Sequence, residues 1–530
     1  MSGASTHAWI RALITVGIIG TLGCGNGCSK ADPPAEPPPP TGASTAPSGA
    51  TAEPAEVGLT PVDNEAAPLL PVLNADALSA RVEAQRAVLG DRAVLFEDQT
   101  GRPVPWISQG GGLEDAIDDS LLDSLPGSSG LGVTAVSGPA VNGNALGLFT
   151  PLAPGVEGGP PPLEHFYAAL RTLEAGKDAD GKVRILAYGA SHTDADIYPH
   201  YLRSYLQQRF GDGGHGFVHI ARPWNWYGHV DMQVSGVKRW STAHAQRKKG
   251  IEDGMFGLMG ASLTATSRKA FGKVSPRSDA VASQYEIYFL AQPRGGSFKV
   301  FADGKLHATV KTRAKVPSAG YYAFSLPEGQ HEIEIQVVGN GPIRMFGMTA
   351  ERAQPGIVVD TLGIGGTRAA NMLGWDEAVW ADNVSHRAPD LIMLAYGTNE
   401  ATDTHADIAV YAADQRAVMD KLRRIAPQAS CLIISGGDFP RRIDDGTFRV
   451  RPRVAKIRET QREVAREYGC AFWNLHQFMG GDLSMTRWAR AQPAMAKSDH
   501  LHFTKRGYTR MGMGLVDAIM VPFDGDSLTH

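Results

Sequence analysis

The sequence predicts an α/β protein whose parallel sheet is interrupted by an inserted block of antiparallel strands. From about residue 160 to 222, and again from 356 onwards, short apolar runs alternate with segments of helical periodicity, which is typical of parallel sheets. Between them, in residues 223–355, apolar and polar residues alternate with period two, which indicates antiparallel strands with one solvated face. The 61 Gly and 34 Pro among 530 residues also favour a loop-rich fold over a helical bundle.

The first residues resemble a bacterial export signal. Arg11 precedes an apolar run at residues 12–22 (ALITVGIIGTL), which is shorter than the roughly twenty residues that a membrane span needs. Cys24 follows in Thr-Leu-Gly-Cys, which resembles a lipobox, although Leu22 fills a place that usually holds a small residue. We therefore predict a signal peptide at 1–23 and a lipid anchor on Cys24, with an ordinary cleaved signal as the alternative. The protein is then expected in the periplasm or at the outer membrane, in contact with the membrane only through that anchor.

The segment after the signal differs in composition from the rest of the chain. Residues 24–62 are dominated by Pro, Ala, Ser and Thr, which predicts a disordered or polyproline-like tether. Residues 63–159 show a helical period only at 75–89, and their Gly- and Ser-rich part has no clear pattern. We therefore predict that this region is partly disordered and assign it no function.

The α/β part is predicted in two pieces, residues 160–222 and 356–530. Its strand candidates are short and apolar throughout, as strands buried on both faces are: 183–188 (VRILAY), 356–362 (GIVVDTL), 391–396 (LIMLAY), 431–435 (CLIIS) and 470–475 (CAFWNL). Helical periodicity predicts helices at 163–173, 197–210, 406–425 and 453–468.

The inserted block, residues 223–355, alternates most clearly at 284–290 (QYEIYFL), 296–302 (GSFKVFA) and 331–338 (HEIEIQVV). Turn sequences such as Asp303-Gly304 separate these runs. Because about 130 residues are enough for a complete sandwich, we predict an inserted antiparallel β-sandwich domain.

Charge and cysteine content exclude two classes of protein. The formal net charge of −4 offers no basic excess for displacing counterions, so no nucleic-acid partner is predicted. Four cysteines in 530 residues exclude a disulfide scaffold. Cys431 and Cys470 begin two predicted neighbouring strands, and they are either buried thiols or a disulfide that an exported environment allows.

The candidate residues for nucleophilic catalysis lie at the ends of predicted strands and on one predicted helical turn. Ser191 follows the strand at 183–188, in a strand–turn–helix unit of the kind that gathers catalytic groups in α/β sheets. Asp499 and His502, three residues apart, project to the same side of one helical turn, so the carboxylate can orient an imidazole that takes the serine proton. Donors for the resulting oxyanion are available from two loops, Gly365-Gly366 after the strand at 356–362 and Gly397-Thr398-Asn399 after the strand at 391–396. Either Gly365 or Gly366 can supply the backbone donor of the first loop.

Together these residues resemble the conserved blocks of the SGNH/GDSL hydrolase superfamily. GASHTDAD, GIGG, YGTNE and SDHLHFT stand in the order of blocks I, II, III and V, and the likeness covers about residues 160–525. It implies a three-layer α/β/α fold with a parallel sheet, catalytic Ser191, Asp499 and His502, and an oxyanion hole built from Ser191, Gly366 and Asn399. Ala190 is a departure, because the family usually has Asp before the serine.

Within this superfamily, the Ser-His-Thr motif, the segment FGDGGHGFV and the inserted β block resemble periplasmic peptidoglycan O-acetylesterases, which carry an inserted carbohydrate-binding-module-like sandwich. The resemblance implies removal of acetyl groups from a glycan, here the C6 hydroxyl of N-acetylmuramic acid, without a cofactor. The alternatives are an SGNH-type O-acetyltransferase and a glycan-binding protein that has lost catalysis.

Other side chains have two interpretations each. Trp224, Trp226 and Tyr227 can stack on sugar rings, but packing in the core or between domains explains them equally well. His192, Asp194 and Asp196 suggest metal ligation, but no metal is predicted, because the spacing of the later histidines is not that of metal ligands: His215, His219 and His229.

Overall fold

A computed structural model of the chain describes residues 96–97, 103–104, 150–153, 155, 159, 161–178, 180–245, 253–277, 279–444, 446–491 and 494–527. The predicted signal, the lipidation candidate Cys24 and the tether lie outside the described residues, as does most of the region 63–159. In the part that is described, no helix is both long and apolar enough to cross a lipid bilayer.

The elements are numbered in chain order. The strands are β1 (Phe96–Glu97), β2 (Pro103–Val104), β3 (Leu152–Ala153), β4 (Lys182–Gly189), β5 (Gly214–Val218), β6 (Met232–Ser235), β7 (Ser241–His244), β8 (Ala261–Ala265), β9 (Phe271–Pro276), β10 (Ala282–Ala291), β11 (Ser297–Ala302), β12 (Lys305–Lys311), β13 (Ser318–Gly329), β14 (Ile333–Val337), β15 (Ile343–Glu351), β16 (Gly356–Gly363), β17 (Leu391–Ala395), β18 (Ser430–Ile434), β19 (Arg441–Arg442), β20 (Phe448–Arg449) and β21 (Ala471–Trp473). The α-helices are α1 (Glu164–Glu174), α2 (Ser191–Asp194), α3 (Ile197–Phe210), α4 (Glu377–Arg387), α5 (Ile408–Ile425), α6 (Pro452–Glu467), α7 (Leu475–Phe478), α8 (Ser484–Arg490) and α9 (Lys505–Ser527). Two 3₁₀ turns span Ala369–Gly374 and Glu400–Thr402.

The central sheet is mixed rather than wholly parallel. Its strand order is β16-β4-β17-β18-β21-β3, and the first five strands are parallel. The sixth, β3, pairs antiparallel with β21 through Leu152 opposite Trp473 and Ala153 opposite Phe472. The prediction of an all-parallel sheet is therefore wrong at one edge. A two-residue strand carries no periodicity, so no pattern within residues 63–159 predicted it.

Helices cover both faces of this sheet, because strand residues point alternately to opposite sides. In β4, Ile185 and Ala187 face one apolar cluster, which also contains side chains of α1, α3 and α9. Leu186 and Tyr188 face the other cluster, which includes side chains of α4, α5 and α6. Burial on both faces accounts for the continuous apolar runs that predicted these strands.

The antiparallel strands form two sheets. One has the order β13-β10-β15-β8-β7, with β5 also paired to β15, and the other has the order β12-β11-β14-β9-β6. Side chains of the two sheets contact each other, as in the edge-to-face pair Phe289–Phe298, whose ring centroids lie 5.5 Å apart. The expected boundary at residues 222/223 does not separate the two kinds of sheet, because β5 belongs to the antiparallel one.

Buried charges join this antiparallel sheet to the central sheet. Arg387 of α4 donates from Nε to Asp360 of β16 over 2.9 Å and from Nη1 to Glu351 of β15 over 2.6 Å. Asp360 also accepts the N–H of Phe217 in β5 over 2.8 Å. Removing one partner of such a buried set strands the other charges in a medium of low dielectric constant, at a cost of about 3–5 kcal/mol. These buried contacts therefore hold the antiparallel sheet against the α/β layers.

Cys431 and Cys470 form a disulfide between the beginnings of β18 and β21, with Cα atoms 4.8 Å apart. This answers the question that the sequence left open. Both residues lie in the apolar cluster on the α5–α6 side of the sheet.

Breaking this bond should lower the stability of the protein. The two cysteines are 39 residues apart, and cross-linking a loop of that size restricts the unfolded chain by an amount worth roughly 3–4 kcal/mol. In urea titrations, we expect the free energy of unfolding of the oxidised protein to exceed that of the reduced protein by about this amount. The paired substitution Cys431→Ala with Cys470→Ala should resemble the reduced form, and identical midpoints for oxidised and reduced protein would contradict the prediction.

Candidate active site

Three adjacent strands of the central sheet bring the candidate residues together at their carboxyl ends. In the order β16-β4-β17, they lead into the Gly366 turn, Ser191 and the Asn399 loop. Ser191 is the first residue of α2, two residues after β4 ends at Gly189. A Cβ atom on Gly189 would lie 2.0 Å from Thr193 Oγ1, so only glycine allows this short helix to turn back so closely. Carboxyl edges of parallel sheets are where α/β proteins bind ligands.

Ser191, His502 and Asp499 form a continuous series of hydrogen bonds. Ser191 Oγ lies 3.0 Å from His502 Nε2, and His502 Nδ1 lies 2.8 Å from Asp499 Oδ2. The contact joins residues 311 positions apart in the sequence. With Nδ1 protonated, the imidazole donates to the carboxylate and presents Nε2 to the serine hydroxyl as an acceptor. This is the geometry that base-assisted attack by a serine requires.

Asp499 is held in its charged form. Burial opposes ionisation, but the side chain and backbone of His502 and the N–H of Leu501 all hydrogen-bond to the carboxylate, and together they lower the pKa of Asp499 well below its usual value. The two backbone bonds, both to Oδ1, measure 2.9 Å. Because the backbone N–H groups occupy Oδ1, Oδ2 is directed at the imidazole. The carboxylate thereby fixes the orientation of the His502 ring.

His192 packs beside this series and was not singled out by sequence as part of it. Its ring lies 5.7 Å from the His502 ring and 5.0 Å from Phe503, and its Nδ1 is 3.1 Å from the Tyr508 hydroxyl. Burial, together with the nearby His502, lowers the pKa of His192 to about 3. His192 is therefore uncharged at neutral pH and adds no positive charge next to His502.

The two predicted oxyanion loops contact each other. Asn399 donates from Nδ2 to the carbonyl of Thr367 over 2.8 Å, and the neighbouring Gly366 has a positive φ of 79°, which favours glycine. The buried Glu400 carboxylate accepts the N–H of Gly397 over 2.9 Å and that of Ala369 over 3.0 Å. Sequence reasoning missed Glu400, because one acidic residue after a motif does not reveal which backbone groups it binds.

The three aromatic candidates separate into two buried side chains and one exposed side chain. Trp224 is packed inside and donates from Nε1 to Asp194 Oδ2 over 3.2 Å, while the Tyr227 hydroxyl accepts the N–H of His219. Burial removes both rings from contact with a substrate, which corrects the suggestion that they stack on sugars. Trp226 is 60% exposed, and a Cβ atom on Gly365 would lie only 3.2 Å from its indole nitrogen. Of the three, Trp226 alone presents an open face near the site.

Asp194 and Asp196, the acidic residues after Ser191, are bound by other side chains of the protein. Burial raises the pKa of Asp194 well above its usual value, against the hydrogen bonds that it accepts from Trp224 and Trp226. Asp196 pairs with the buried guanidinium of Arg203 over 3.0 Å. Across the described ranges, no three His, Cys, Asp or Glu side chains cluster in a way that could hold a metal ion.

Comparison with known proteins agrees with this geometry. Residues 338–510 match the model of the GDSL-like lipase/acylhydrolase family. The matched segment contains Gly366, Asn399, Asp499 and His502, whereas Ser191 lies before it, on the far side of most of the antiparallel strands. No curated protein matches the sequence.

Among solved structures, a peptidoglycan O-acetylesterase matches with a TM-score of 0.58 and 25% sequence identity, over 68% of this chain and 96% of its own. An acetyl xylan esterase matches at 17% identity over 31% of this chain and 80% of its own, with a TM-score of 0.24. A family two carbohydrate esterase from Clostridium thermocellum matches at 10% identity over 55% of this chain and 100% of its own, also with a TM-score of 0.24. The latter two are remote likenesses, and the first supports an SGNH-hydrolase fold built on a mixed sheet. The chain thus contains a GDSL-like lipase/acylhydrolase domain and is a carboxylic-ester hydrolase.

Proposed function

We propose that the protein is an exported serine esterase that removes O-acetyl groups from a glycan, with the C6 O-acetyl group of N-acetylmuramic acid in peptidoglycan as its substrate. The observation that carries the proposal is the 3.0 Å contact between Ser191 Oγ and His502 Nε2, with Asp499 on the other ring nitrogen. The likeness to a solved peptidoglycan O-acetylesterase over 68% of this chain supports the choice of substrate.

In the proposed reaction, Ser191 Oγ attacks the acetyl carbonyl carbon while His502 Nε2 takes the serine proton. The tetrahedral intermediate collapses, the carbon–oxygen bond to the sugar breaks, and His502 returns the proton to the sugar hydroxyl. Water then attacks the acetyl-serine with His502 again as base, which releases acetate and restores Ser191. Asp499 remains ionised throughout, because its pKa lies below its usual value.

The oxyanion of both tetrahedral intermediates is proposed to bind the N–H groups of Ser191 and Gly366 and the amide of Asn399. The Ser191 N–H is the first of α2, and an α-helix leaves its first N–H groups without intrahelical acceptors. Asn399 uses one N–H to bind Thr367, and an amide nitrogen carries two, so a second donor is available in principle for the substrate.

Replacing Asn399 tests this assignment. Asn399→Ala should lower kcat on a small aryl acetate roughly 10²- to 10³-fold, the usual effect of removing one oxyanion donor. KM should change little, since the contact strengthens only as charge develops on the oxygen. Glu400 binds the backbone of the same loop independently, so the loop should keep its shape. A large rise in KM with kcat unchanged would instead make Asn399 a residue for ground-state binding.

Three further parts of the proposal rest on the sequence and the fold. The antiparallel strands are proposed to form an inserted sandwich-like module that presents surface to the glycan chain, with Trp226 as a contact at the site. Export to the periplasm or outer membrane, with a lipid on Cys24, follows from the N-terminal pattern. The Cys431–Cys470 bond supports export, because disulfides persist in oxidising compartments.

The deciding experiment compares the rates of ester hydrolysis on three substrates: acetate release from O-acetylated peptidoglycan, acetate release from acetylated xylan, and fatty-acid release from a long-chain aryl ester. We expect release from peptidoglycan to be fastest, and Ser191→Ala to abolish release from all three. Preference for the long-chain ester would make the protein a lipase-like enzyme. Transfer of acetyl to a sugar hydroxyl in place of acetate release would identify an acetyltransferase.

A further inference from the structure

A short arginine-rich hairpin lies between two loops of the active site. Strands β19 and β20 pair antiparallel, with Arg441 opposite Arg449 and Arg442 opposite Phe448. The Phe448 ring packs on His500, next to Asp499, at a centroid distance of 4.2 Å. We call the strand pair β19 and β20, which carries Arg441, Arg442 and Arg449, the basic hairpin.

The chain after the basic hairpin fixes it to the loop that carries Asn399. Arg453 donates from Nε to the carbonyl of Glu400 over 3.0 Å, and it also binds the carbonyl of Ala406. The start of α6 therefore contacts the Asn399 loop, while Phe448 of the hairpin contacts the loop that carries Asp499 and His502. A group bound at this hairpin would lie near the loop that carries Asp499 and His502.

The sequence between the two strands contains two acidic residues, Asp444 and Asp445, against three arginines in the strands. Arg441, Arg442 and Arg449 are all exposed, and none forms an ion pair with a carboxylate of the residues that the structure describes. Like charges directly opposite each other on neighbouring strands destabilise the pairing.

A fourth cation increases this concentration of positive charge. The Arg451 guanidinium lies over the Phe439 ring at 4.5 Å. Burial and the charge of Arg441 lower the pKa of Arg451. Since the whole chain carries a formal net charge of −4, this concentration is local.

We propose that the basic hairpin binds carboxylates of the substrate, so that the enzyme acts on acidic glycan chains in preference to neutral ones. This inference rests on the proposed glycan esterase activity and names the substrate class more closely. Guanidinium groups suit it, because they form paired, charge-assisted hydrogen bonds with carboxylates. Peptidoglycan fits the requirement through the carboxylates of its peptide stems, whereas an unsubstituted xylan does not.

Competition against a small aryl acetate tests the inference without requiring a known glycan substrate. The competitors are an oligogalacturonate and a neutral galacto-oligosaccharide of the same length. We expect the charged competitor to have the lower Ki, and the difference to shrink as added salt screens exposed charges. The double substitution Arg441→Gln with Arg449→Gln should raise the Ki of the charged competitor about tenfold, as expected for the loss of two exposed ion pairs. It should leave the Ki of the neutral competitor unchanged.

Two controls separate binding from folding. Arg441→Lys with Arg449→Lys should restore much of the affinity, because charge is retained. Arg462→Gln, which removes an exposed arginine paired with Glu459 on α6, should leave both Ki values unchanged. The melting temperature of the double Gln variant should not fall, since a repulsive pair has been removed. If the double Gln variant unfolds, Arg442→Gln takes its place, because it removes a positive charge from the same surface without changing the Arg441–Arg449 pair. It too should raise the Ki of the charged competitor.

Several outcomes overturn the inference: equal Ki values for the two competitors in wild type, or no change for the charged competitor in the double Gln variant. The proposed function fails separately. If wild type releases no acetate from any glycan but still binds the charged competitor through the hairpin, the esterase substrate is wrong and the carboxylate site stands. If peptidoglycan is deacetylated equally fast before and after its carboxylates are coupled to glycinamide, the proposed function stands and the carboxylate site is wrong.

Discussion

Ser191→Ala should reduce kcat/KM on a small aryl acetate by about 10⁴-fold or more. Ser191 lies just beyond the end of β4, and its Oγ is 3.0 Å from His502 Nε2. Among the described side chains, no other nucleophile occupies that position. The expected loss is large because the covalent route disappears, leaving only binding and the oxyanion donors. Initial rates under enzyme excess, checked for trace wild-type contamination, provide the measurement.

The same variant should remain folded. Ser191 is only half-buried at the start of a four-residue helix, and its hydroxyl contributes little packing. We expect its free energy of unfolding to lie within about 0.5 kcal/mol of wild type. His502→Ala should be similarly inactive, and the double variant should be no worse than either single variant, since the residues act as a unit. Retention of more than about a tenth of the activity in Ser191→Ala would disprove the mechanism.

Asp499→Asn should lower kcat by roughly 10³- to 10⁴-fold. An asparagine oxygen can still accept the N–H groups of Leu501 and His502, so the loop should persist. Its amide nitrogen, however, would face His502 Nδ1 and stabilise the tautomer whose Nε2 is protonated. That tautomer cannot accept the serine proton, which explains why a change of one atom has so large an effect. Glu463→Gln, an exposed acid on α6, is the matched control and should retain full activity.

The pH dependence of wild type follows from the lowered pKa of Asp499. A carboxyl group whose folded-state pKa is depressed stabilises the fold above its unfolded value of about 4 and loses that contribution as the pH falls through the folded value. Asp499 is therefore ionised across the range in which the enzyme is assayed, from about pH 5 to 8. Any change of rate in that range belongs to other groups, and a change in Asp499 ionisation seen there by carboxylate infrared difference spectra would contradict the assignment.

Local sequence predicted much of the fold, since the bounds of α3 agree with the periodicity and those of β4 differ by a single residue at each end. Both are long, regular segments whose apolar pattern reports their own burial. Strand order could not be read in this way, because the pairing of β4 between β16 and β17 depends on contacts far apart in the chain. The pairing of β5 could not be read either, since its partner β15 follows it by more than a hundred residues.

The sequence predicted those site residues whose positions are set by motifs. It did not predict those whose exposure depends on packing against distant parts of the chain. Ser191, Asp499 and His502 come together because each occupies a strand end or the loop before α9. The burial of Trp224 could not be predicted, since its partner Asp194 is thirty positions away and a tryptophan in a loop looks the same whether packed or exposed. The catalytic roles of all these residues remain predictions that the substitutions above will test.

The two-residue strand β3 affects how the protein behaves in solution. It covers the outer edge of β21, and the carbonyl of Thr150 just before it accepts the indole N–H of Trp473 over 3.0 Å. A chain that lacked the residues before 160 would keep every catalytic side chain but would expose the backbone N–H and C=O groups of that edge. Open strand edges act as templates on which another molecule adds a strand. We therefore expect a chain without β3 to self-associate more readily than the full chain.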